Sequence, residues 1–353
     1  MKLLAVLCVR NEGAFLLEWL AHHRAVGFTD ILVFSNDCQD GTDAMLDRLD
    51  KLGWVKHVRN DGPHDRGGIQ FTALKRADGM ELTRRADWIL PLDVDEFVNI
   101  HAGDGTLPDL LAALPEATAI TLTWRLFGND DKVEYDDIPV TEGFTRCAPE
   151  VLYWPWRASM FKTLYRNDGI YRKLGVHRPR APVRERLAQA RWFDGEGRAL
   201  PEQFMTQRIF SNYGRSNYGL VQLNHYALGS MQSFVLKADR GRAVHSDHML
   251  DVDYWVERNF NQAEDRSIQR MRPLSAPLRQ ELLADPELAR LHAEAVDWRH
   301  ARFAELLEQE PFRALFARLL MTPPSRPVSA ATARQLTRAA LRGRRRDAKP
   351  PSG

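Results

Sequence analysis

The sequence has few cysteines and no long apolar run. Its three cysteines, Cys8, Cys38 and Cys147, are far apart and include no C-x-x-C pair. Neither a zinc site nor a disulfide framework is therefore indicated, and a reducing, cytoplasmic setting is the simplest expectation. No stretch approaches the roughly 20 apolar residues that a membrane-spanning helix needs, and no internal repeat is present.

Charge is nearly balanced overall but unevenly placed. The formal net charge is +2, yet residues 324–353 alone carry +7, which leaves −5 for the rest of the chain. The arginines of this tail, Arg342, Arg344, Arg345 and Arg346, are suited to anionic lipid headgroups at the inner face of a membrane. A solvated tail is the alternative. Nucleic acid would use the same electrostatics, but we do not expect it as a partner.

Strand-like and helix-like segments alternate over the first hundred residues. Residues 3–9 form a continuous apolar run, typical of a parallel strand covered on both faces. Arg10-Asn11-Glu12 interrupts this run, which favours a buried strand over a signal peptide. The same reading predicts strands at 3–9, 31–34, 54–58 and 88–92, and helices at 12–26, 43–52 and 69–85. The alternation predicts an α/β fold with a mainly parallel sheet.

The second half of the chain has a looser pattern. We predict strands at 120–124 and 220–226, a hairpin turn at Asn167-Asp168-Gly169, and helices over 230–244 and 285–320. After Pro323-Pro324 the composition turns to Arg, Ala, Ser and Pro, which predicts disorder or a loosely attached helix.

The most informative motif is the acidic cluster Asp93-Val94-Asp95-Glu96, which follows the apolar run 88–92. Carboxylates at i and i+2 of an extended segment point to the same side of the sheet. They repel each other unless something cationic lies between them. A divalent metal that carries a diphosphate is a common occupant of such a site. The alternative is a solvated strand end or a helix N-terminus that favours negative charge.

Several motifs follow one another in a familiar order. They are Val9-Arg10-Asn11-Glu12, Glu18-Trp19-Leu20-Ala21-His22-His23, Gly27, Asn36-Asp37-Cys38-Gln39-Asp40-Gly41-Thr42 and Asp93-Val94-Asp95-Glu96-Phe97, then more loosely Trp124-Arg125-Leu126-Phe127-Gly128, His177, Asn224-His225-Tyr226, Lys237 and Arg240-Gly241. Together they resemble the family-2-like glycosyltransferases, in the branch close to family 92. The resemblance is strongest over residues 1–100.

This resemblance implies a fold, a cofactor and an activity. The expected fold is α/β, with a Rossmann-like, nucleotide-sugar-binding domain of GT-A type, a mixed sheet and a helical C-terminal region. The expected activity is transfer of a sugar from a nucleotide-sugar donor to a glycan, polysaccharide or other hydroxyl acceptor, with inversion and with Mn or Mg as cofactor. We expect a glycosyltransferase domain over 1–245, with a nucleotide-sugar half (1–100) and an acceptor half (101–245). A helical region over 246–322 and the basic tail over 323–353 would follow.

The resemblance also implies roles for individual residues. Asp95 would bind the metal directly, Asp93 would contact the ribose or a metal-bound water, and His225 would complete the metal site, with His177 as its competitor. The predicted nucleotide-sugar contacts are Asn11, Glu12, Asn36, Asp40, Asp93, Lys237 and Arg240.

Some of these residues have structural alternatives. Asn11 could instead cap the first helix, and Asp40 could form an Asx-turn before Gly41. Lys237 and Arg240, three residues apart on one helical face, could clamp a diphosphate or form an ordinary solvated face.

The predicted catalytic base is Asp130 or Asp131, since direct displacement needs a carboxylate near the acceptor hydroxyl. Glu134 and Asp137 are rivals. The aromatic cluster Tyr153-Trp154-Pro155-Trp156 could stack on an acceptor sugar or pack in the core.

Two other functions stay open. A metal-dependent sugar nucleotidyltransferase would need a glycine-rich phosphate loop, and Arg10-Asn11-Glu12-Gly13 supplies one glycine only. A non-catalytic binding protein on the same fold is the second alternative.

Overall fold

The computed structural model describes residues 1–64, 67–212, 214–240 and 250–347. Its strands are β1 (Leu3–Val9), β2 (Asp30–Ser35), β3 (Lys56–Arg59), β4 (Trp88–Leu92), β5 (Glu96–Ile100), β6 (Ala119–Leu126), β7 (Arg146–Cys147), β8 (Phe161–Arg166), β9 (Tyr171–Lys173), β10 (Arg180–Pro182), β11 (Trp192–Phe193), β12 (Val221–His225) and β13 (Ala263–Glu264). Its helices are α1 (Gly13–Val26), α2 (Thr42–Lys51), α3 (Ile69–Asp78), α4 (Glu81–Arg85), α5 (Leu107–Ala113), α6 (Val140–Gly143), α7 (Glu202–Thr206), α8 (Met231–Arg240), α9 (Val252–Val256), α10 (Arg272–Ala284), α11 (Pro286–Leu307), α12 (Glu310–Met321) and α13 (Ala330–Asp347).

The centre of the molecule is a nine-stranded mixed sheet. Its strands run in the order β3-β2-β1-β4-β8-β6-β12-β5, and β11 pairs with β6 outside this path. The first four strands are parallel to one another. β8 is antiparallel to both of its neighbours, and β12 is parallel to β6. The carboxyl ends of β1, β2, β4, β6 and β12 therefore meet at one edge, together with the amino ends of β5 and β8.

Both faces of the sheet are covered by apolar side chains. Along β1, Leu3, Ala5 and Leu7 pack into one cluster, whereas Leu4 and Val6 pack into the cluster on the opposite face. This alternation explains why the strand is apolar at every position, as its continuous run predicted.

Helix α1 connects β1 to β2 and ends at a glycine. Gly27 has φ of 116°, in the left-handed region, and its N–H donates to the carbonyls of His23 and Arg24 at 3.2 and 3.0 Å. A residue with a Cβ is strained there, so Gly27 ends the helix and turns the chain toward β2.

The predicted α/β class, mixed sheet and helical C-terminal region are confirmed. Three local predictions were wrong. The helix predicted over 69–85 is divided into α3 and α4, because α3 ends at Gly79. The helix predicted over 285–320 is divided into α11 and α12, and Pro311 lies in the first turn of α12, where proline is tolerated. The turn at 167–169 does not join a hairpin: β8 pairs with β4 and β6, whereas β9 pairs with β10.

The C-terminal helices pack against the sheet domain. α10 and α11 contact α1, α11 contacts α2 and α8, and Arg48 of α2 forms an ion pair with Asp285 just before α11. The domain boundaries given above remain predictions. In the tail, residues 330–347 form α13. Among the described helices, none has the length and apolar character needed to cross a membrane.

Candidate active site at the carboxyl edge of the sheet

A cavity of ≈ 340 Å³ opens at the edge where the parallel strands end. It begins where β1, β2, β4 and β12 finish, which is the usual place for ligands in an open α/β sheet. Among the described residues, its walls hold four cationic side chains and three carboxylates. These are Arg10, Lys237, Arg240 and Arg258, and Glu12, Asp93 and Asp95. The surplus of positive charge suits an anionic ligand.

Asp95 is held by a lysine and a histidine from later in the chain. Lys237 Nζ lies 2.6 Å from Asp95 Oδ2, and it also donates to the Ala227 carbonyl at 2.7 Å. His225 Nε2 is 3.7 Å from Asp95 Oδ1, and the His225 ring lies 4.2 Å from the ring of Trp124. The motif resemblance implied that Asp95 and His225 share a metal site and that Lys237 contacts the diphosphate, and it did not imply the contact between Lys237 and Asp95.

Asp93 is held by a second lysine. Lys162, near the start of β8, places Nζ 2.8 Å from Asp93 Oδ2 and 3.4 Å from Glu96 Oε2. Gln70 donates to Asp93 Oδ1 at 2.9 Å. Glu96 is fully buried and accepts from Trp124 Nε1 at 2.6 Å and from the Asp93 N–H at 2.8 Å. Both carboxylates of the Asp93-x-Asp95 pair thus face an ammonium group.

The pKa values support charged forms of Lys237, Lys162 and Asp95 but a largely protonated Glu96 at neutral pH. Burial lowers the pKa of Lys237, but Asp95 raises it by more, so it lies above its usual value. The pKa of Lys162 is likewise raised by Asp93 and Glu96 against the effect of burial. Burial raises the pKa of Asp95, yet Lys237 and His225 hold it well below its usual range. Burial raises the pKa of Glu96 to about 8, although Lys162 lowers it.

The residues present do not fit the expected divalent cation. Within the described ranges, no three His, Cys, Asp or Glu side chains are grouped as metal ligands. Asp93 and Asp95, the two predicted carboxylate ligands, already have cationic partners at hydrogen-bond distance. A dication close to two ammonium groups would be repelled by both. The structure therefore does not assemble Asp93, Asp95 and His225 as the predicted metal site, because lysines supply the charge.

His177, the predicted competitor of His225, lines the cavity with a neutral ring. Burial lowers the pKa of His177 to about 4, and the nearby Lys162 lowers it as well. Its Nδ1 lies 3.0 Å from the Phe161 carbonyl, to which an N–H at that position donates.

Two predicted nucleotide contacts, Glu12 and Asn36, line this cavity next to β1 and β2, whereas Asn11 lines a neighbouring cavity. Glu12 forms an ion pair with Arg240, whose Nη1 also donates to the Arg10 carbonyl at 3.0 Å. Asn36 lines the cavity while donating to the Val9 carbonyl at 2.9 Å. Asn11 lies in the left-handed region with φ of 55° and accepts from the Gln39 N–H at 2.7 Å. Asn11 therefore shapes the loop and does not cap α1.

Asp40 does not line the cavity. Its Oδ2 accepts from the Gly13 N–H at 2.9 Å, and its Oδ1 accepts from the Thr42 N–H at 3.0 Å. These bonds join the starts of α1 and α2, and the bond to Thr42 is the Asx-turn considered above. With both oxygens used and 4% of the residue exposed, Asp40 has a structural position.

Asp130 and Asp131, the predicted catalytic bases, also lie away from the cavity walls. Asp130 accepts from the Thr145 and Arg146 N–H groups, each at 2.9 Å. Asp131 forms an exposed ion pair with Arg146 at 2.6 Å. The two carboxylates hold Thr145 and Arg146 at the start of β7.

A second, smaller cavity of ≈ 90 Å³ shares Glu12, Asp95, Lys237 and Arg240 with the first and has mostly apolar walls. Glu134 lines it, whereas Asp137 forms an ion pair with His292 at 3.0 Å. None of residues 153–156 is among the lining residues of either cavity. In that segment, Trp156 is 46% exposed and stacks on Phe210 with 3° between the ring planes.

The sequence interpretation missed Lys162 and Gln70. The detectable signal was a lysine between Phe161 and Leu164 in a strand-like segment, because a lysine that is buried there requires an anionic partner. Nothing local in the sequence identifies Asp93 as that partner, since β8 reaches it only through long-range antiparallel pairing.

Comparison with known proteins agrees with the motif resemblance. No protein-family model matches the chain. A glycosyltransferase family 92 protein of Oryza sativa subsp. japonica is 25% identical over 149 residues, 40% of this chain and 24% of that protein. A second, from Ricinus communis, is 30% identical over 97 residues, 27% of this chain and 16% of that protein. The chain is similar to glycosyltransferase family 92 proteins. It spans about a quarter or less of the length of these two relatives.

Solved glycosyltransferase structures are more distant. Residues 1–349 of S. aureus TarS match with a TM-score of 0.32 and 15% identity, over 88% of this chain and 92% of that one. TarS 1–349 in complex with UDP-GlcNAc gives a TM-score of 0.33 and 15% identity, over 86% and 73% of the two chains. Glucosyl-3-phosphoglycerate synthase from Mycobacterium tuberculosis, bound to Mn²⁺ and UDP, gives 0.24 and 16% identity over 35% and 44%.

Proposed function

We propose that the protein is a glycosyltransferase that moves a sugar from a nucleotide-sugar donor to a hydroxyl acceptor such as a glycan. The cationic cavity at the carboxyl edge of the sheet carries this proposal. The similarity to glycosyltransferase family 92 proteins supports it independently.

The proposed donor occupies the full length of the cavity. The nucleoside lies toward Asn36 and the ends of β1 and β2, and the diphosphate faces Lys237 and Arg240. Negative charge develops on the nucleoside diphosphate as its bond to the sugar breaks. Cationic groups already in place stabilise that charge without having to reorganise.

The proposed stereochemistry is inversion by direct displacement of the nucleoside diphosphate. The anomeric configuration of the first product, read by NMR before it equilibrates, tests this part separately. A product with the configuration of the donor sugar would contradict inversion without affecting the proposal of glycosyl transfer.

A panel of UDP-, GDP-, ADP- and dTDP-sugars tests the proposed reaction class. The full chain is incubated with each donor, and nucleoside diphosphate release is measured with and without oligosaccharide acceptors. We expect release from one donor type, stimulated by an acceptor.

The rival functions give different products in the same assay. A nucleotidyltransferase would instead release pyrophosphate from a nucleoside triphosphate and a sugar 1-phosphate. Donor binding without any turnover would point to the non-catalytic alternative and contradict the proposed function.

A further inference from the structure

Lysine side chains stand where the resemblance placed a divalent cation. On the basis of the proposed function, we propose that the Lys237 ammonium takes the cation's place at the donor diphosphate, so that transfer proceeds without a metal. The two carboxylates of Asp93-x-Asp95 would then be those of a metal site, with lysine ammonium groups as their partners in place of the metal ion.

The contacts of Lys237 suit this role. Of the three N–H donors on its ammonium group, one is directed to Asp95 Oδ2 at 2.6 Å and one to the Ala227 carbonyl at 2.7 Å. The third donor has no hydrogen-bond acceptor among the described residues, and the ammonium group also lies 5.7 Å from the centre of the Tyr254 ring. Lys237 lines both cavities, and 17% of its side chain is exposed. Asp95 and Ala227 thus fix the ammonium group at the wall of the cavity, as coordinating side chains fix a metal ion.

Lys162 has a different part. Its side chain has no exposed surface, it lies behind Asp93 and Glu96, and it is not among the residues that line the cavity. It cannot reach a diphosphate in the cavity, but it compensates the charge of Asp93. We therefore treat Lys162 as a positioning residue and Lys237 as the group that touches the donor.

The remaining charges of the cavity also favour an anion. Lys237 and Lys162 balance Asp95 and Asp93, Arg240 pairs with Glu12, and Arg258 Nη1 lies 3.5 Å from Glu257 Oε2. Among the cavity-lining residues that the structure describes, Arg10 is the cation for which no ion pair is found, and it leaves a positive charge that a diphosphate can offset. A bound dication would make this wall more positive still.

The transfer step balances without a metal. The acceptor hydroxyl oxygen forms a bond to the anomeric carbon as the bond from that carbon to the diphosphate oxygen breaks. The electron pair of the broken bond leaves with the nucleoside diphosphate, and the hydroxyl proton is released to solvent. Lys237 stays protonated throughout and donates a hydrogen bond to the departing diphosphate.

The metal dependence of the wild-type protein is the first test. Binding of UDP, GDP, ADP and dTDP is measured by calorimetry on the full chain in EDTA, and again with millimolar Mn²⁺ or Mg²⁺. We expect one of these diphosphates to bind with the same Kd in both conditions. Binding only with metal would overturn the inference and leave the proposed function standing. Failure of all four to bind in either condition would overturn the proposed function and the inference with it.

Lys237→Ala provides the second test, with Lys51→Ala on an exposed position of α2 as its matched control. Removing one charge-assisted bond should weaken diphosphate binding in EDTA by about tenfold or more. Mn²⁺ should restore part of this loss, because Asp95 and His225 become free to bind it. Lys51→Ala should bind as the wild type does. Unchanged affinity of a folded Lys237→Ala protein in EDTA would overturn the inference. If that variant does not fold, the wild-type comparison still decides.

Discussion

Lys162 Nζ lies 2.8 Å from Asp93 Oδ2, and the Lys162 side chain has no exposed surface. The acidic cluster after β4 is therefore paired with Lys162 of β8, a strand that comes much later in the chain. With Lys237 on Asp95, each carboxylate of the pair has its own ammonium partner.

Removing the buried lysine should lower the stability of the fold. Lys162→Met leaves Asp93 without its cation, and because the Asp93 side chain is 36% exposed, the loss should be about 1–3 kcal/mol, below that of a fully buried pair. Urea unfolding of Lys162→Met against wild type measures the loss. Lys51→Met, at an exposed position, should stay within about 0.5 kcal/mol of wild type. A loss for Lys162→Met as small as that of the control would contradict the pairing.

Two adjacent histidines of α1 should make the protein sensitive to mild acid. Burial lowers the pKa of His22 to about 4 and that of His23 well below its usual 6.5. His23 Nδ1 lies 2.8 Å from the Trp19 carbonyl, and its Nε2 accepts from the Val98 N–H at 3.3 Å. The neutral ring is thus the form that fits, and a second proton would break the bond from Val98.

The sign of this effect follows from proton binding. Below pH 6.5 the unfolded chain binds protons at both histidines, and the folded chain does not until about pH 4 at His22. The free energy of unfolding should therefore fall with pH below 6.5, by up to about 1.4 kcal/mol per pH unit for each histidine. Denaturant titrations at several pH values check this. His23→Gln should give a shallower slope, and equal slopes in the two proteins would speak against the assignment.

Replacing Asp130 should lower the stability of the protein more than replacing Asp131, and neither change should abolish catalysis. Asp130→Ala leaves the N–H groups of Thr145 and Arg146 without their acceptor, which should cost about 1–3 kcal/mol. Asp131→Ala removes an exposed ion pair, worth about 1 kcal/mol or less. Thermal unfolding of both variants measures the difference. A loss of kcat by orders of magnitude in a folded variant would instead restore the prediction that one of them is the base.

The tail helix should bind anionic membranes. Arg334, Arg338 and Arg342 are exposed and lie four residues apart, which places them along one side of α13. Each arginine near an anionic bilayer contributes about 1 kcal/mol. Co-sedimentation should therefore favour phosphatidylserine vesicles over phosphatidylcholine vesicles, weaken at high salt, and disappear when the three residues are changed to Glu. Equal sedimentation with both vesicle types would leave the tail as a solvated helix.

The sequence predicted the local features of the nucleotide-binding half well. Trp88–Leu92 and Leu3–Val9 form strands with the predicted bounds, because a fully apolar run between polar residues is typical of a strand that is buried on both faces. The position of Asp93 and Asp95 at the carboxyl edge followed from this alternation, and the late His225 and Lys237 followed from the motif resemblance.

The remaining features depend on contacts between distant parts of the chain. Asp40 was predicted to face the nucleotide, but its oxygens are used by Gly13 and Thr42 across the loop between two helices. Lys162 was missed because antiparallel pairing of β8 with β4 sets its position. Local pattern identifies a strand and the faces that it buries, but it does not identify the neighbouring strand.

The insertion of β8 between β4 and β6 also limits which segments of this protein can be exchanged for those of a relative. The first hundred residues carry Asp93, Asp95 and Glu96, whereas both lysines that balance them come from beyond residue 160. A chimera that took its nucleotide-binding half from a relative with a different acidic motif would inherit unmatched charges at the centre of the sheet. The two halves are therefore expected to diverge in concert, and exchange of either half alone should yield an unstable protein.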